Sequence, residues 1–207
     1  MKSQRRLVVA TTNPGKIAEI RAMLDLDVEC TSLSDFPRIQ KIKEDGATFA
    51  ENARKKAVGY AKATGLWTLA DDSGLVVDAL SGAPGVNSAR FSGQRSSDRR
   101  LTDIRNMEKL LKLLEGVPEQ KRTARFVCCL CLASEEKVLI ETEAVLEGLI
   151  TERPRGENGF GYDPIFFVPG LQKTVAELSS AEKNAISHRG NAIRQLRPPL
   201  QELLQKG

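Results

Sequence analysis

Strand-like and helical patterns alternate along the first half of the chain. Residues 6–10 form a short β-branched run, and residues 16–24 then repeat apolar side chains at helical spacing. Residues 48–64 begin with a capping box and predict a second helix, which a buried strand at 66–70 follows. Because helices that alternate with strands pack onto the faces of a sheet, this pattern predicts an α/β fold.

The second half of the chain adds a predicted hairpin to this alternation. The predicted elements are, in order, a helix at 98–115, strands at 123–133 and 137–146 joined by a polar turn, a strand at 165–168 and a mainly helical segment at 182–205. Pro198 and Pro199 are expected to interrupt that last helix. A hairpin joins antiparallel strands, so we expect a mixed sheet flanked by helices.

Length and composition predict one globular domain. The chain has 207 residues, of which 41% are hydrophobic and 28% charged, enough to bury one substantial core. No repeat or Pro/Gly/Ser-rich linker suggests a boundary inside residues 1–207. No apolar run approaches the roughly 18 residues of a membrane span, and residues 7–10 are too few for a signal peptide. We therefore expect a cytoplasmic protein without a membrane partner.

The four cysteines agree with a reducing compartment. Cys30 is isolated, while Cys128, Cys129 and Cys131 share one apolar run whose extended backbone places them poorly for pairing. Cys128 and Cys131 form a C-x-x-C pattern, but no second Cys or His pair accompanies it. We expect reduced core residues rather than a zinc site.

The charge of the chain favours an anionic partner without identifying it. The formal net charge is +4, with a pI near 8.9, and both signs are mixed along most of the sequence. A nucleic-acid-binding protein would use Arg95, Arg99, Arg100 and Arg105 and would lose affinity steeply with salt. These arginines resemble the solvated face of the third helix, and no aromatic residues lie between them. We therefore expect no nucleic-acid partner.

A tight turn follows the first predicted strand and opens the first predicted helix. Its residues are Thr11, Thr12, Asn13, Pro14, Gly15 and Lys16. The unbonded N–H groups of a helix start suit phosphate. It is not a Walker A loop, because Ala10 occupies the first glycine position and Ile17 follows the lysine. The alternative is an ordinary β-α turn with a solvated lysine.

Two adjacent carboxylates end the predicted strand at 66–70. Asp71 and Asp72 precede Ser73 and a glycine, and carboxylate oxygens are ligands that magnesium prefers. Neighbouring strand residues point to opposite faces, so at most one of the pair should meet a metal. Glu44, before the second helix, could add another carboxylate. The alternative is that these residues only make turn hydrogen bonds.

A glycine-rich segment lies between residues 156 and 164. Its glycines allow close backbone approach around Phe160 and Tyr162, and an aromatic face beside exposed N–H groups could hold a base. The spacing is not G-x-G-x-x-G, because Pro164 takes the last position. A surface loop with Phe160 tucked into the core is the alternative.

The start of the last predicted helix carries three basic or titratable side chains. They are Lys183, His188 and Arg189. A lone histidine is more often structural than catalytic, and the two cations could simply be solvated. None of the four segments decides a function alone.

Together the motifs resemble the inosine triphosphate pyrophosphatase family, and in particular its bacterial XTP/dITP diphosphatase branch. They occur in family order from residue 11 to residue 190, and several are long and unusual. The matching segments are T-T-N-P-G-K, E-D-G-A-T-F-A-E-N-A-R-K-K-A, A-D-D-S-G-L-V-V-D-A-L-S-G-A-P-G-V-N-S-A-R-F, G-F-G-Y-D-P-I-F and E-K-N-A-I-S-H-R-G.

The resemblance implies an elongated α/β fold with a groove between two lobes, a homodimer, and Mg²⁺-dependent hydrolysis of ITP, dITP and XTP to monophosphate and pyrophosphate. Thr11 to Lys16 would bind phosphate, and Glu44 and Asp72 would bind the metal. Asp72 would also activate the attacking water, and Lys56 would face the triphosphate. The other implied substrate contacts are Ser73, Phe160, Gly161, Tyr162, Asp163, Lys183, His188 and Arg189.

The resemblance also sharpens the competing functions. A Maf-like pyrophosphatase would prefer dTTP or UTP, but the G-F-G-Y-D and S-H-R segments argue against it. We further expect Arg189, beside His188, to help distinguish a 6-oxo purine from adenine. A guanidinium only donates hydrogen bonds, so it suits the 6-oxo acceptor and not the adenine amino group.

Overall fold

The computed structural model of the protein describes residues 6–25, 28–94 and 96–206. Within these residues its elements are, in chain order, β1 Arg6–Val9, α1 Pro14–Leu24, β2 Glu29–Ser32, α2 Phe49–Thr64, β3 Trp67–Val77, α3 Arg99–Leu113, β4 Thr123–Ala133, β5 Val138–Ile150, β6 Phe166–Val168, β7 Lys173–Thr174, α4 Ser180–Ile186 and α5 His188–Lys206. Arg95 lies outside the described residues.

The described strands form one mixed sheet, in the order β2-β1-β3-β4-β5-β6-β7. Strand β1 pairs in parallel with both β2 and β3. Strand β6 pairs antiparallel with β5 and with β7. The predicted α/β fold with a mixed sheet and flanking helices is therefore confirmed.

Side-chain caps set the starts of two helices, and α1 begins at Pro14, two residues before the predicted start. The Asn13 side chain accepts a hydrogen bond from the Gly15 N–H at the start of α1, and Pro14 occupies the first turn. Thr48 accepts from the Glu51 N–H at 3.1 Å and caps α2. Helix α2 ends at Thr64 and is followed by Gly65, whose φ of +69° suits a residue without a Cβ. These caps fix the segments that carry Lys16 and Lys56.

The chain divides into two compact units, each with its own core. The first unit comprises the described parts of Met1–Ser73, Cys128–Ala144 and His188–Gly207, and the second comprises Gly74–Val127 and Val145–Ser187, apart from residue 95. The core of the first unit includes Leu7, Val9, Ile20, Leu69, Leu130, Ile193 and Leu196. The core of the second includes Leu75, Leu110, Phe126, Ile150, Tyr162 and Phe166.

Strand β3 is longer than the sequence predicts. It continues through Asp71, Asp72 and Ser73 to Val77, where a turn was expected after residue 70. Both carboxylates are buried and make ion pairs with lysine and arginine side chains. Because these partners satisfy the carboxylates inside the protein, the residues do not need the solvent exposure of a turn. The expected turn was wrong, and the reason is tertiary contact.

Helix α5 continues through Pro198 and Pro199, so the expected interruption there was also wrong. A proline inside a helix removes a backbone hydrogen bond and costs about 3 kcal/mol or more. Leu196 and Leu200 flank the pair and are 0% and 1% exposed in the core of the first unit. Full burial of a leucine contributes about 1.5–3 kcal/mol, so packing on both sides of the prolines offsets much of that cost.

Three of the four cysteines lie in the core, as predicted, and Cys30 does so only in part. All four are free thiols, and Cys128, Cys129 and Cys131 are buried on strand β4 while Cys30 is half-buried. Among the helices of the described segments, none has the length and apolar character needed to span a bilayer.

Candidate active site

The corner between β1 and α1 presents a buried amide donor. Asn13 is 6% exposed, and its Oδ1 accepts the Gly15 N–H at 3.0 Å. Within the described residues its Nδ2 has no hydrogen-bond partner. A buried donor left unsatisfied costs about 1–3 kcal/mol until an acceptor arrives. The first turn of α1 also contains no acidic residue, so the corner suits an anion.

Lys16 of this corner is held by an ion pair rather than by water. Its Nζ donates to Oδ1 of Asp71, and the lysine side chain is 15% exposed while that of Asp71 is fully buried. The alternative of an ordinary turn with a solvated lysine is therefore wrong. Asp71 links the corner to the middle of strand β3.

Asp71 is the centre of a buried polar cluster. Its Oδ2 accepts hydrogen bonds from Arg189 Nε at 3.0 Å and from the Cys128 thiol at 3.2 Å, while the Ser73 hydroxyl donates to its Oδ1 at 3.2 Å. Burial alone would raise the pKa of this carboxyl, yet the charges of Arg189 and Lys16 hold the pKa well below its usual range. Asp71 is therefore an ionised structural anion.

Arg189 uses all three nitrogens of its guanidinium on neighbouring side chains. Besides the bond from Nε to Asp71, its Nη1 donates to Glu19 and its Nη2 donates to Ser73 Oγ at 2.7 Å. The whole residue is 1% exposed. Arg189 is thus neither a surface charge nor a helix cap, and it fixes the positions of Asp71 and Ser73.

Lys56 occupies the space between the two carboxylates that the resemblance assigns to metal. Its Nζ lies 3.0 Å from Glu44 Oε2 and 2.8 Å from Asp72 Oδ1, and it donates to the Asp71 carbonyl oxygen at 2.7 Å. Lys56 is 7% exposed. Asp71 and Asp72 have different side-chain partners, as expected for neighbouring residues of a strand.

The two carboxylates beside Lys56 differ in their proton affinity. Burial raises the pKa of Asp72 above its usual value despite the opposing charge of Lys56. Burial also acts to raise the pKa of Glu44, but Lys56 outweighs it and the pKa is lowered. Burial thus dominates at Asp72, whereas the charge and hydrogen bond of Lys56 outweigh burial at Glu44.

The donor set around Lys56 fits a magnesium ion. Glu44 and Asp72 supply hard carboxylate oxygens that approach a single ammonium group. Across the described segments no three His, Cys, Asp or Glu side chains are grouped closely enough to hold a metal. Magnesium in nucleotide enzymes is commonly held by one or two carboxylates, with phosphate oxygens and water completing its shell. Two carboxylates are consistent with that mode.

In the second unit, Asp163 organises the glycine-rich segment. Its Oδ2 accepts the Phe160 N–H at 2.9 Å and an N–H of the Lys183 ammonium at 2.7 Å. Lys183 Nζ also lies 4.5 Å from the centroid of the Phe160 ring. Gly159 has a φ of +79°, and a Cβ there would come within 2.1 Å of Asp163 Oδ2, so this position requires glycine.

The remaining predicted residues of this segment have different environments. Phe160 is half-buried rather than tucked into the core, whereas Tyr162 is 5% exposed and donates its hydroxyl to the Ser88 carbonyl oxygen. A substrate contact from Tyr162 would therefore come through its backbone. The Gly161 N–H donates to Asp103 Oδ2 at 2.9 Å. Sequence reasoning missed Asp103, which looks like a solvated helix residue.

The predicted site residues are thus distributed over the two units. The first unit holds the Thr11–Lys16 corner and the residues Glu44, Lys56, Asp72, Ser73, His188 and Arg189, and the second holds Phe160, Gly161, Tyr162, Asp163 and Lys183. His188 begins α5 and is 6% exposed. Sequence reasoning also missed Glu19, which belongs to no recognisable motif, and it treated Cys128 only as a core thiol.

The fold and these residues define a class of protein, an α/β enzyme that handles nucleotide phosphates. The sequence profile of the Ham1 family matches residues 7–199. The chain is 48% identical to a dITP/XTP pyrophosphatase of Bacillus cereus over 205 residues, covering 98% of each protein. It is 52% identical to a dITP/XTP pyrophosphatase of Geobacter sulfurreducens over 196 residues, covering 94% of this chain and 96% of that one.

Solved structures agree with the sequence comparisons. A HAM1 protein from Coxiella burnetii is 44% identical, with a TM-score of 0.85 over 96% of this chain and 100% of the other. The Ham1 protein of Staphylococcus aureus is 40% identical, with a TM-score of 0.84 over 96% and 99%. The chain belongs to the Ham1 family.

Proposed function

We propose that this chain is a nucleoside triphosphate pyrophosphatase that hydrolyses ITP, dITP and XTP to the monophosphate and pyrophosphate. The observation that carries the proposal is the shared role of Asp71. Its side chain pairs with Lys16, in the corner of residues 11–16. Its carbonyl oxygen accepts a hydrogen bond from Lys56, which also contacts Glu44 and Asp72. Strand β3 therefore connects the candidate phosphate-binding corner to the candidate water-activating residue Asp72. The dITP/XTP pyrophosphatases among the relatives support the choice of substrates.

In this proposal the triphosphate is held by the corner of residues 11–16. Asn13 Nδ2 supplies a buried donor that a phosphate oxygen would satisfy. Lys16 supplies a positive charge whose position Asp71 fixes. Prepositioned donors stabilise the charge that develops on phosphate oxygens without having to reorganise during the reaction.

Asp72 is the proposed base for the attacking water. The residue is 8% exposed, which would shield the transferred proton from bulk solvent. Glu44 and Asp72 would hold Mg²⁺. When bound, the ion would offset charge developing on the phosphate oxygens.

In the second unit, two side chains have the chemistry to contact the nucleobase of the substrate. The half-buried ring of Phe160 offers an aromatic face, and Lys183 adds a donor above that ring. The role of Arg189 in reading the 6-oxo group remains a prediction, and so does the substrate contact of His188. The three side-chain partners of Arg189 and its 1% exposure favour a positioning role instead.

The decisive experiment is product analysis on a nucleotide panel. Purified protein with Mg²⁺ is incubated with ITP, dITP, XTP, ATP, GTP, dTTP and UTP, and products are followed by phosphorus NMR. We expect monophosphate and pyrophosphate, with the three non-standard purines cleaved fastest and no turnover when the metal is chelated. Release of the nucleoside diphosphate and inorganic orthophosphate would reject the proposed reaction. Preference for dTTP or UTP would instead support the Maf-like alternative.

Two further properties remain predictions from the resemblance. We expect a homodimer, which light scattering after size-exclusion chromatography would measure. We also expect the protein in the cytoplasm, which cell fractionation of the source organism would test.

A further inference from the structure

The ammonium of Lys56 has no hydrogen-bonding capacity left over. An ammonium carries three N–H donors, and this one makes three hydrogen bonds, to Glu44 Oε2, Asp72 Oδ1 and the Asp71 carbonyl oxygen. The side chain is 9% exposed, so water does not replace these partners readily. The predicted contact between Lys56 and a triphosphate would therefore require that one of the three bonds be released.

The same ammonium occupies the carboxylate oxygens of Glu44 and Asp72 that a divalent cation would need as ligands. Glu44 and Asp72 together carry one more negative charge than Lys56 neutralises. A divalent cation would have to compete with Lys56 for the carboxylate lone pairs and would be repelled by its charge at short range. Bound without nucleotide, that cation would leave the cluster with an excess positive charge, which the anionic triphosphate would offset.

We propose that Lys56 is the resident cation of the Glu44–Asp72 pair and that it keeps the nucleotide-free enzyme from binding a divalent metal tightly. The metal then enters together with the triphosphate rather than before it. This inference rests on the proposed function for its biological meaning. Its physical content, competition between an ammonium and a metal ion for two carboxylates, is measurable without any nucleotide.

The test measures Mn²⁺ binding to nucleotide-free protein by the electron paramagnetic resonance signal of unbound Mn²⁺. The variants are Lys56→Met, which keeps an unbranched side chain up to Cε and removes the ammonium group, and Lys55→Met as the matched control. Lys55 is the preceding residue of α2, is 47% exposed in its side chain, and pairs with Asp45 at 2.7 Å. We expect Lys56→Met to bind Mn²⁺ at least about tenfold more tightly than wild type, because a unit charge a few ångströms from the ion is removed. Lys55→Met should match wild type.

The opposite role for Lys56 gives the opposite result. If its ammonium serves only to bring Glu44 and Asp72 together, Lys56→Met will bind Mn²⁺ more weakly than wild type or equally. Either result, or a lack of Mn²⁺ binding by every variant, overturns the proposal. Far-UV circular dichroism and the thermal midpoint establish that each variant is folded. If Lys56→Met does not fold, Lys56→Gln, which keeps a donor without the charge, is measured against the same criterion.

Failure of this inference is distinguishable from failure of the proposed function. Wild-type protein that cleaves ITP to monophosphate and pyrophosphate, while Lys56→Met binds Mn²⁺ no more tightly, rejects the resident-cation role alone. Tighter binding by Lys56→Met with no triphosphate cleavage by wild type rejects only the pyrophosphatase.

Discussion

Asp71 and Arg189 form an ion pair that is closed to solvent. Arg189 Nε lies 3.0 Å from Asp71 Oδ2, and the exposed fractions of the two side chains are 2% and 0%. The same aspartate holds Lys16, so a residue of β3 connects helix α5 with the corner of residues 11–16. The order of this first unit therefore depends on a charge cluster as well as on its apolar core.

The stability of the protein should depend strongly on Asp71. Asp71→Asn removes the negative charge that Lys16 and Arg189 both face and leaves Arg189 with a weaker acceptor. Breaking a buried ion pair from one side costs about 3–5 kcal/mol, so we expect the free energy of unfolding in urea to fall by roughly that amount. The exposed pair Arg197–Asp25 is the control, and Asp25→Asn should change stability by less than about 1 kcal/mol. Equal effects of the two variants would contradict the central role of Asp71.

This cluster also predicts a pH dependence of stability. The pKa of Asp71 is well below its usual value in the folded protein, so the unfolded chain binds this proton more readily. The stabilisation is present above the unfolded pKa of about 3.9 and is lost as the pH falls toward the folded pKa. The stability difference between wild type and Asp71→Asn should therefore be constant from pH 8 to pH 5 and shrink below about pH 4. A difference that grew on acidification would refute this assignment.

Turnover should require the charge of Asp72. Asp72→Asn keeps the size of the side chain but cannot take a proton, and loss of a general base costs about 10²- to 10⁴-fold in rate. We expect kcat for ITP to fall within that range while the far-UV spectrum is unchanged. Wild-type activity of Asp72→Asn at saturating Mg²⁺ would exclude Asp72 as the base.

Lys16 should affect all triphosphates alike. Its ammonium is expected to bind phosphate rather than the base, so Lys16→Ala removes an interaction that ITP and ATP share. We expect kcat/KM to drop by a similar factor for both nucleotides, with the ITP to ATP ratio unchanged. A changed ratio would show that Lys16 does not act on the phosphates.

Substitution of Arg189 distinguishes two hypotheses about the preference for ITP over ATP. Direct reading of the 6-oxo group predicts that Arg189→Ala reduces ITP cleavage far more than the slow ATP reaction, since a lost contact of this kind is worth about 1–3 kcal/mol. A positioning role through Asp71 and Ser73 predicts similar losses for both nucleotides, and the observed partners lead us to expect this second result. The kcat/KM values for ITP and ATP in both proteins decide it, and a selective loss for ITP would restore direct reading.

The sequence alone determined the class of fold and the positions of the functional segments. Strand and helix periodicities, together with the capping residues Asn13 and Thr48, depend on neighbours within a few positions, so they can be read locally. The resemblance also named Glu44 and Asp72 as metal ligands and Lys56 as a contact of the triphosphate, and the structure places Lys56 within hydrogen-bonding distance of both carboxylates.

Only the tertiary structure decided what those side chains contact. Arg189 and Asp71 are 118 positions apart in the chain, and no local pattern records that they meet. Glu19 and Cys128 look like an ordinary helix acid and an ordinary core residue until Arg189 and Asp71 are placed beside them. The course of β3 through Asp71 and of α5 through Pro198 has the same origin. Burial, ion pairing and packing between distant residues outweigh local preferences that amount to a few kcal/mol.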